Sequence, residues 1–173
     1  KLHPHAGINR GVFRENPKGY IKINQSDWDR KPGVLFSELL EFQALKNHFS
    51  GKENWKNSKF ALRNINYIKK KFTVRRFRNY KNFLIKREIQ IDKLYETILK
   101  KGVYPIKHKK NFINNISIVL TKNKKLYFNN RGHHRLSIAK ILKLDFIPVK
   151  ITVAKSDQIL ENFFLSKKKF KKI

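Results

Sequence analysis

The stretch Asn130-Arg131-Gly132-His133-His134-Arg135-Leu136 most constrains what this chain can fold into. It follows a short apolar run, Leu126-Tyr127-Phe128, and opens an apolar-periodic segment from Leu136 to Leu144. The pattern predicts a strand, a glycine turn and a helix. A helix start carries about +0.5 of an elementary charge and several N–H groups without intrahelical partners. Helix stability alone favours Asp, Glu, Ser or Thr there. This chain instead sets Arg131, His133, His134 and Arg135 on the positive pole. That arrangement makes sense when an anion, phosphate first among them, completes the site.

Around this element the fold class reads as α+β, a helical N-terminal half followed by a small α/β unit with a mixed sheet. Tyr20 to Ile23 suits a short strand, and Asp27 to Gly33 a loop. Helices are predicted over 35–50, 58–71 and 80–101, with Gly51 and Gly102 as stops. Leu62, Ile65 and Ile68 supply one buried face, and Leu84, Ile91, Leu94, Tyr95, Ile98 and Leu99 another. Ile116, Ile118 and Leu120 alternate as a strand, as do Val149 to Val153, and a short helix is expected over 156–165. The division expected is 1–110 mainly helical, 111–155 the α/β unit in one compact domain with it, and 156–173 a short helix with the basic tail Lys167 to Lys172.

Lys and Arg number 41 against 12 Asp and Glu, a formal net charge of +29. So strong a field draws polyanions, nucleic acid and nucleotides among them. Residue bias from an AT-rich coding sequence explains much of that charge equally well. Hydrophobic residues at 40%, with 14 Phe, argue for a folded chain rather than a disordered one. The absence of Cys excludes disulfides, thiolate metal sites and a catalytic thiol. No apolar run reaches membrane-span length and no signal peptide is visible, so a cytoplasmic protein is expected. The chain begins at Lys1 and contains no Met, and is expected to be part of a longer reading frame.

The segment from Ile116 to Val153 resembles the ParB/sulfiredoxin-like superfamily, in its ParB-like nuclease branch. The strand pair carries the likeness, followed by Gly132-His133-His134-Arg135-Leu136-Ser137-Ile138-Ala139-Lys140, Leu144 and Ile147-Pro148-Val149. Asp27-Trp28-Asp29 and Leu94-Tyr95-Glu96-Thr97-Ile98 resemble N-terminal segments of ParB-like proteins. The resemblance implies that this helix start holds nucleotide phosphates, as it does CTP in partition proteins and ATP in sulfiredoxin and a free-serine kinase. Gly132, His133, His134 and Arg135 inherit that role by motif match. Arg131 departs from the Asp that many relatives carry. Without Cys, sulfiredoxin chemistry is excluded. The short segment after Val153 gives no expectation of a partition-type DNA reader.

Each constellation also has a plainer reading. Gly132 lets phosphate approach the backbone closely, or is an ordinary turn glycine. Arg135 offers a bidentate fork, or is a solvated surface residue. His133 and His134 can donate to phosphate, move protons or ligate metal, although adjacent histidines project in different directions. Asp27 and Asp29 share a side of an extended segment and can hold Mg²⁺ or act as a base, or they are neutralised by Arg30 and Lys31. Lys69, Lys70, Lys71, Arg75, Arg76 and Arg78, interleaved with Phe72, Phe77 and Tyr80, suit backbone contact and base stacking, or a solvated linker.

The leading expectation is a ParB-like nuclease-family protein that binds nucleotide or nucleic-acid phosphates between Gly132 and Arg135. Phosphodiester hydrolysis stays open. So does a small-molecule kinase or NTPase, which needs ATP or CTP with Mg²⁺ and an acidic base drawn from Asp27, Asp29, Glu88, Asp92 or Glu96. A non-catalytic nucleic-acid binder is the third reading. Oligomeric state is not legible.

Overall fold

The computed structural model describes residues 21–23, 25, 35–70, 72–74, 77–104, 115–129 and 131–168. The fold is α+β. Its helices are α1 (Leu40–Phe49), α2 (Lys59–Lys69), α3 (Tyr80–Lys101), α4 (His133–Ile141) and α5 (Asp157–Lys168), and its strands are β1 (Lys22–Ile23), β2 (Ser117–Leu120), β3 (Leu126–Phe128) and β4 (Lys150–Ala154). By contacts the chain forms two compact units, each assembled from separate segments. The sheet unit is Lys1–Phe36, Pro105–Gly132 and Pro148–Ile173, and the helical unit is Ser37–Tyr104 and His133–Ile147.

In the sheet unit the strand order is β1-β4-β2-β3. β1 and β2 both run parallel to β4, and β3 returns antiparallel to β2. The sheet is therefore mixed, as the sequence led us to expect. The return is made by Thr121–Lys125. Its backbone closes with a Lys124 N–H donating to the Thr121 carbonyl at 3.0 Å, and the Thr121 side chain accepts from Lys125 N–H at 3.0 Å. All four residues of β2 are buried. A strand covered on both faces has no polar side, so the alternation predicted for it is absent. Thr152 of β4 also departs from the alternation, being a polar residue that is buried. It is satisfied: its hydroxyl accepts from Asn129 Nδ2 at 2.6 Å and donates to the Ile118 carbonyl at 3.0 Å. α5 runs to Lys168, so the start of the expected basic tail is helical.

The helical unit closes around Leu45, Trp55, Phe60, Ala61, Ile68, Phe83 and Ile91. Trp55 lies 5.5 Å from Phe83 and 6.4 Å from Phe60, ring centre to ring centre, and Phe77 covers Phe83 at 5.7 Å. Caps set the helix limits. Ser58 accepts from Ala61 N–H at 3.2 Å, Asn79 accepts from Asn82 N–H at 3.1 Å, and Gly102 ends α3 at φ 70°. His48 Nδ1 accepts from Trp55 N–H at 3.3 Å, so Nε2 carries the proton it donates to Asp92, 2.8 Å away. Leu62, expected in the core, is half exposed. Residues six apart on an α-helix lie about 120° apart, so a face built on Ala61, Ile65 and Ile68 leaves Leu62 outside. Leu99 is exposed for a similar reason, and Phe83 takes the buried position that the sequence did not single out.

Among the described residues no helix is long and apolar enough to cross a membrane.

Candidate anion site at the start of helix α4

The order strand, strand, helix, strand is present from Ser117 to Ala154, and the helix begins at His133, the residue after Gly132. Gly132 sits at φ 73°. A Cβ there would meet the backbone of Ile116 at 2.6 Å from Cα and 2.7 Å from N, and Asn115 C at 2.9 Å. The close approach has a visible cause. Asn129 N–H donates to the Ser117 carbonyl at 2.8 Å, Ser117 N–H donates to the Arg131 carbonyl at 3.2 Å, and the Ser117 hydroxyl donates to the Asn129 carbonyl at 2.9 Å. These bonds hold the turn against the start of β2, where no side chain fits.

In the helical unit, α4 packs against α1 and α3. His134, Leu136, Ser137, Ile138 and Ala139 are all buried, so most of its circumference is covered. Glu41, in the first turn of α1, lies between the two histidines. Its Oε1 is 2.8 Å from His134 Nε2, and its Oε2 is 3.3 Å from His133 Nδ1. The three side chains are 10–13% exposed. Successive helix positions point about 100° apart, yet one carboxylate with two oxygens spans both rings.

Arg87 of α3 brings its Nη2 against His134 Nε2. Its Nη1 donates to Gln90 Oε1 at 3.2 Å. A carboxylate and a guanidinium thus converge on one ring nitrogen. With a proton on Nε2, the nitrogen donates to Glu41; without one, it can accept from Arg87. It cannot do both at once. The tautomer of His134 decides which of the two bonds its Nε2 makes.

Arg135 is half-buried. Its Nη2 donates to the Tyr104 carbonyl, just beyond the end of α3. Its Nε is buried without a hydrogen-bond acceptor, and burial lowers its pKa from the usual value. A carbonyl is a neutral dipole, so the guanidinium sits in a place that costs solvation and does not neutralise its charge. The sequence alternative of a solvated Arg135 gives way to this part-buried position. One turn on from His133 and His134, the Ser137 hydroxyl is fully buried and also without a partner.

Asp27 and Asp29 lie outside the described residues, as do Lys71, Arg75 and Arg76. Of the other acids considered as a base, Asp92 is engaged by His48, and Glu96 faces Lys100 at 3.7 Å on the surface. Lys69, Lys70 and Arg78 are exposed at the connection from α2 to α3. Among the described residues, no three His, Cys, Asp or Glu side chains are grouped to hold a metal ion. Sequence reasoning missed Glu41, Arg87 and the Tyr104 carbonyl. Nothing in the spacing of α1 marks Glu41, since an acid in a first turn is ordinary capping chemistry.

Compared with protein-family models, characterised proteins and solved structures, the chain finds no match.

Proposed function

We propose that this protein binds a phosphate-bearing ligand, a nucleotide or a nucleic-acid backbone, at the start of α4, and that it is a ParB/sulfiredoxin-like protein of the cytoplasm. Gly132, His133, His134 and Arg135 are the binding residues, with Arg131 beside them. The observation that carries this reading is Arg135. It is a half-buried cation with a buried Nε that lacks an acceptor and a neutral carbonyl as its bonded partner. A phosphate at the guanidinium would supply the opposite charge that the Tyr104 carbonyl does not. The glycine turn before the helix is accounted for by its packing on the start of β2, so Arg135 and not Gly132 carries the reading.

Phosphodiester hydrolysis is the chemistry that the ParB-like nuclease resemblance attaches to such a site. Glu41 favours a second reading, a small-molecule kinase or NTPase. A carboxylate held by two imidazoles can accept a proton from a hydroxyl or water, while the imidazoles return it. ATP or CTP would bring Mg²⁺ with its phosphates. Asp27 and Asp29 stay the proposed ligands for that ion, with Glu41 already engaged by the histidines.

The test is thermal shift and calorimetric titration with pyrophosphate, ATP and CTP, with and without Mg²⁺, on the wild type and Arg135→Ala. The expected result is stabilisation of the wild type that the variant loses. Equal stabilisation of both would remove Arg135 from the site. Stabilisation of neither would sink the reading altogether. Product analysis with each nucleotide, and with a single-stranded oligonucleotide, then separates transfer, hydrolysis and simple binding.

A further inference from the structure

The connection from α2 to α3 combines two features. First, no Asp or Glu occurs anywhere from Asn54 to Arg87, although cations are frequent there. Second, three aromatic rings stand in solvent. Tyr67 is 49% exposed, Phe72 59% and Tyr80 37%. Burial would have been the ordinary fate of such rings. The same connection shows that burial was available, since Phe77 packs on Phe83 inside the core.

The rings are held in place. Val74 and Phe77 bond each other's backbones, N–H to carbonyl, at 3.1 and 2.8 Å, and both pack against the core. Phe72 N–H donates to the Tyr67 carbonyl at 3.0 Å, and the two rings meet edge to face with centres 6.2 Å apart. Lys69 places its ammonium 5.4 Å from the centre of the Tyr80 ring. Tyr67 and Lys69 lie two residues apart in the last turn of α2, about 200° around the helix, so the two ring sites flank its end and a strand reaching both passes around it. Lys70, Arg78 and Lys81, also exposed, are adjacent to them along the chain.

From this we infer that the α2–α3 connection is a binding surface for single-stranded nucleic acid, in which Tyr67, Phe72 and Tyr80 stack on unpaired bases and Lys69, Lys70, Arg78 and Lys81 contact the backbone. Only an unpaired base offers both faces to a ring, whereas a duplex has its base faces stacked inside. The cations supply the sequence-independent part of the affinity. A membrane surface would also attract lysines and aromatics. However, an ammonium beside a ring centre and rings packed edge to face suit a flat base with its phosphate better than an acyl layer.

The surface shares no residue with the α4 site, so oligonucleotide affinity lost with the rings reports this surface, whereas affinity lost only in Arg135→Ala reports the α4 site. The experiment is fluorescence anisotropy with strands of roughly 15 nucleotides, oligo-dT and oligo-rU, against a duplex of equal length. Two variants are compared. Tyr67→Ala/Phe72→Ala/Tyr80→Ala removes rings and keeps charge, and Lys69→Gln/Lys70→Gln/Arg78→Gln does the reverse. All six positions are exposed or half-exposed, and melting temperature checks that both variants fold. The expected result is a single-strand affinity at least about tenfold weaker in the ring variant, with duplex binding changed less than about twofold. The charge variant should weaken both and reduce the salt slope. Equal loss of single-strand and duplex affinity in the ring variant overturns the proposal. So does unchanged single-strand affinity, or ring-dependent binding to phosphatidylserine vesicles without single-strand binding.

Discussion

Among the described residues, the two compact units differ in the buried polar groups they leave unsatisfied. In the sheet unit the groups are neutral and matched. Ser117, Asn129 and Thr152 form a short chain of hydrogen bonds, each donor meeting a carbonyl or hydroxyl. In the helical unit Ser58 and Asn64 are matched in the same way, but the group around α4 is charged, crowded and incompletely matched. Glu41 serves two histidines, Arg87 presses on one of them, and Arg135 Nε, Ser137 Oγ and Trp55 Nε1 are buried without a hydrogen-bond partner. A neutral matched network fixes a fold at little electrostatic cost. A charged, imperfectly satisfied one is where proteins place binding and chemistry, because its energy changes when a ligand arrives. The contrast says which unit to perturb when looking for function.

The largest effect expected is on the fold, at the turn. Gly132→Ala puts a Cβ into the backbone of Ile116 and Asn115 and keeps a left-handed φ. Denaturant unfolding should show a loss of at least about 3 kcal/mol. A loss below about 1 kcal/mol would mean that the turn relaxes and the close approach is incidental.

Next comes the charged cluster. Glu41→Ala strands two histidines facing Arg87 and should destabilise by about 2–4 kcal/mol. Glu41→Gln keeps the shape and removes the charge. If the cluster waits for anions, millimolar phosphate should raise the melting temperature of Glu41→Gln more than that of the wild type. In the sheet unit, Thr152→Val should cost about 1–3 kcal/mol, through the lost partners of Asn129 and the Ile118 carbonyl, with no dependence on phosphate. Phosphate rescue of Thr152→Val, or none of Glu41→Gln, would dissolve the contrast.

The smallest stability change belongs to Arg135→Ala, below about 1 kcal/mol in either direction, because the lost bond to Tyr104 is offset by relief of a desolvated charge. Phosphate affinity should nonetheless drop at least about tenfold. The sign of its pH effect follows from the lowered pKa. The desolvation cost is present while the folded protein keeps the proton and is relieved only as pH rises through the lowered folded value, which for a guanidinium stays strongly alkaline. Stability curves of the wild type and Arg135→Ala should therefore run parallel between about pH 5 and 9.

Local signals were legible and distant ones were not. α3 could be placed from Tyr80 to Lys101 because its apolar stripe and the Gly102 stop lie within the segment itself, as does the Asn79 cap that the structure adds. The turn at Gly132 and the helix after it were legible for the same reason. The buried status of Thr152 was not, because its partners come from two other strand segments, and a polar residue in a strand otherwise reads as solvent-facing. Glu41 was invisible as a site residue. Its meaning depends on α4 packing against α1, a long-range contact that no periodicity encodes. The basic run between α2 and α3 was visible as charge, but only the structure separates Phe77, in the core, from Phe72 and Tyr80, in solvent.

The pairing of Lys22 with Val153 sets a timetable for synthesis. β1 leaves the ribosome early, yet the strand it pairs with is translated only after α1, α2, α3, β2, β3 and α4. The helical unit likewise waits for α4 to supply His133 and His134 to Glu41. Both units thus complete within the same short interval of translation. Until then β2, apolar and buried on every residue in the finished fold, has only the hairpin with β3 to protect it. Any pause of the ribosome between β3 and β4 would hold that strand open to other nascent chains.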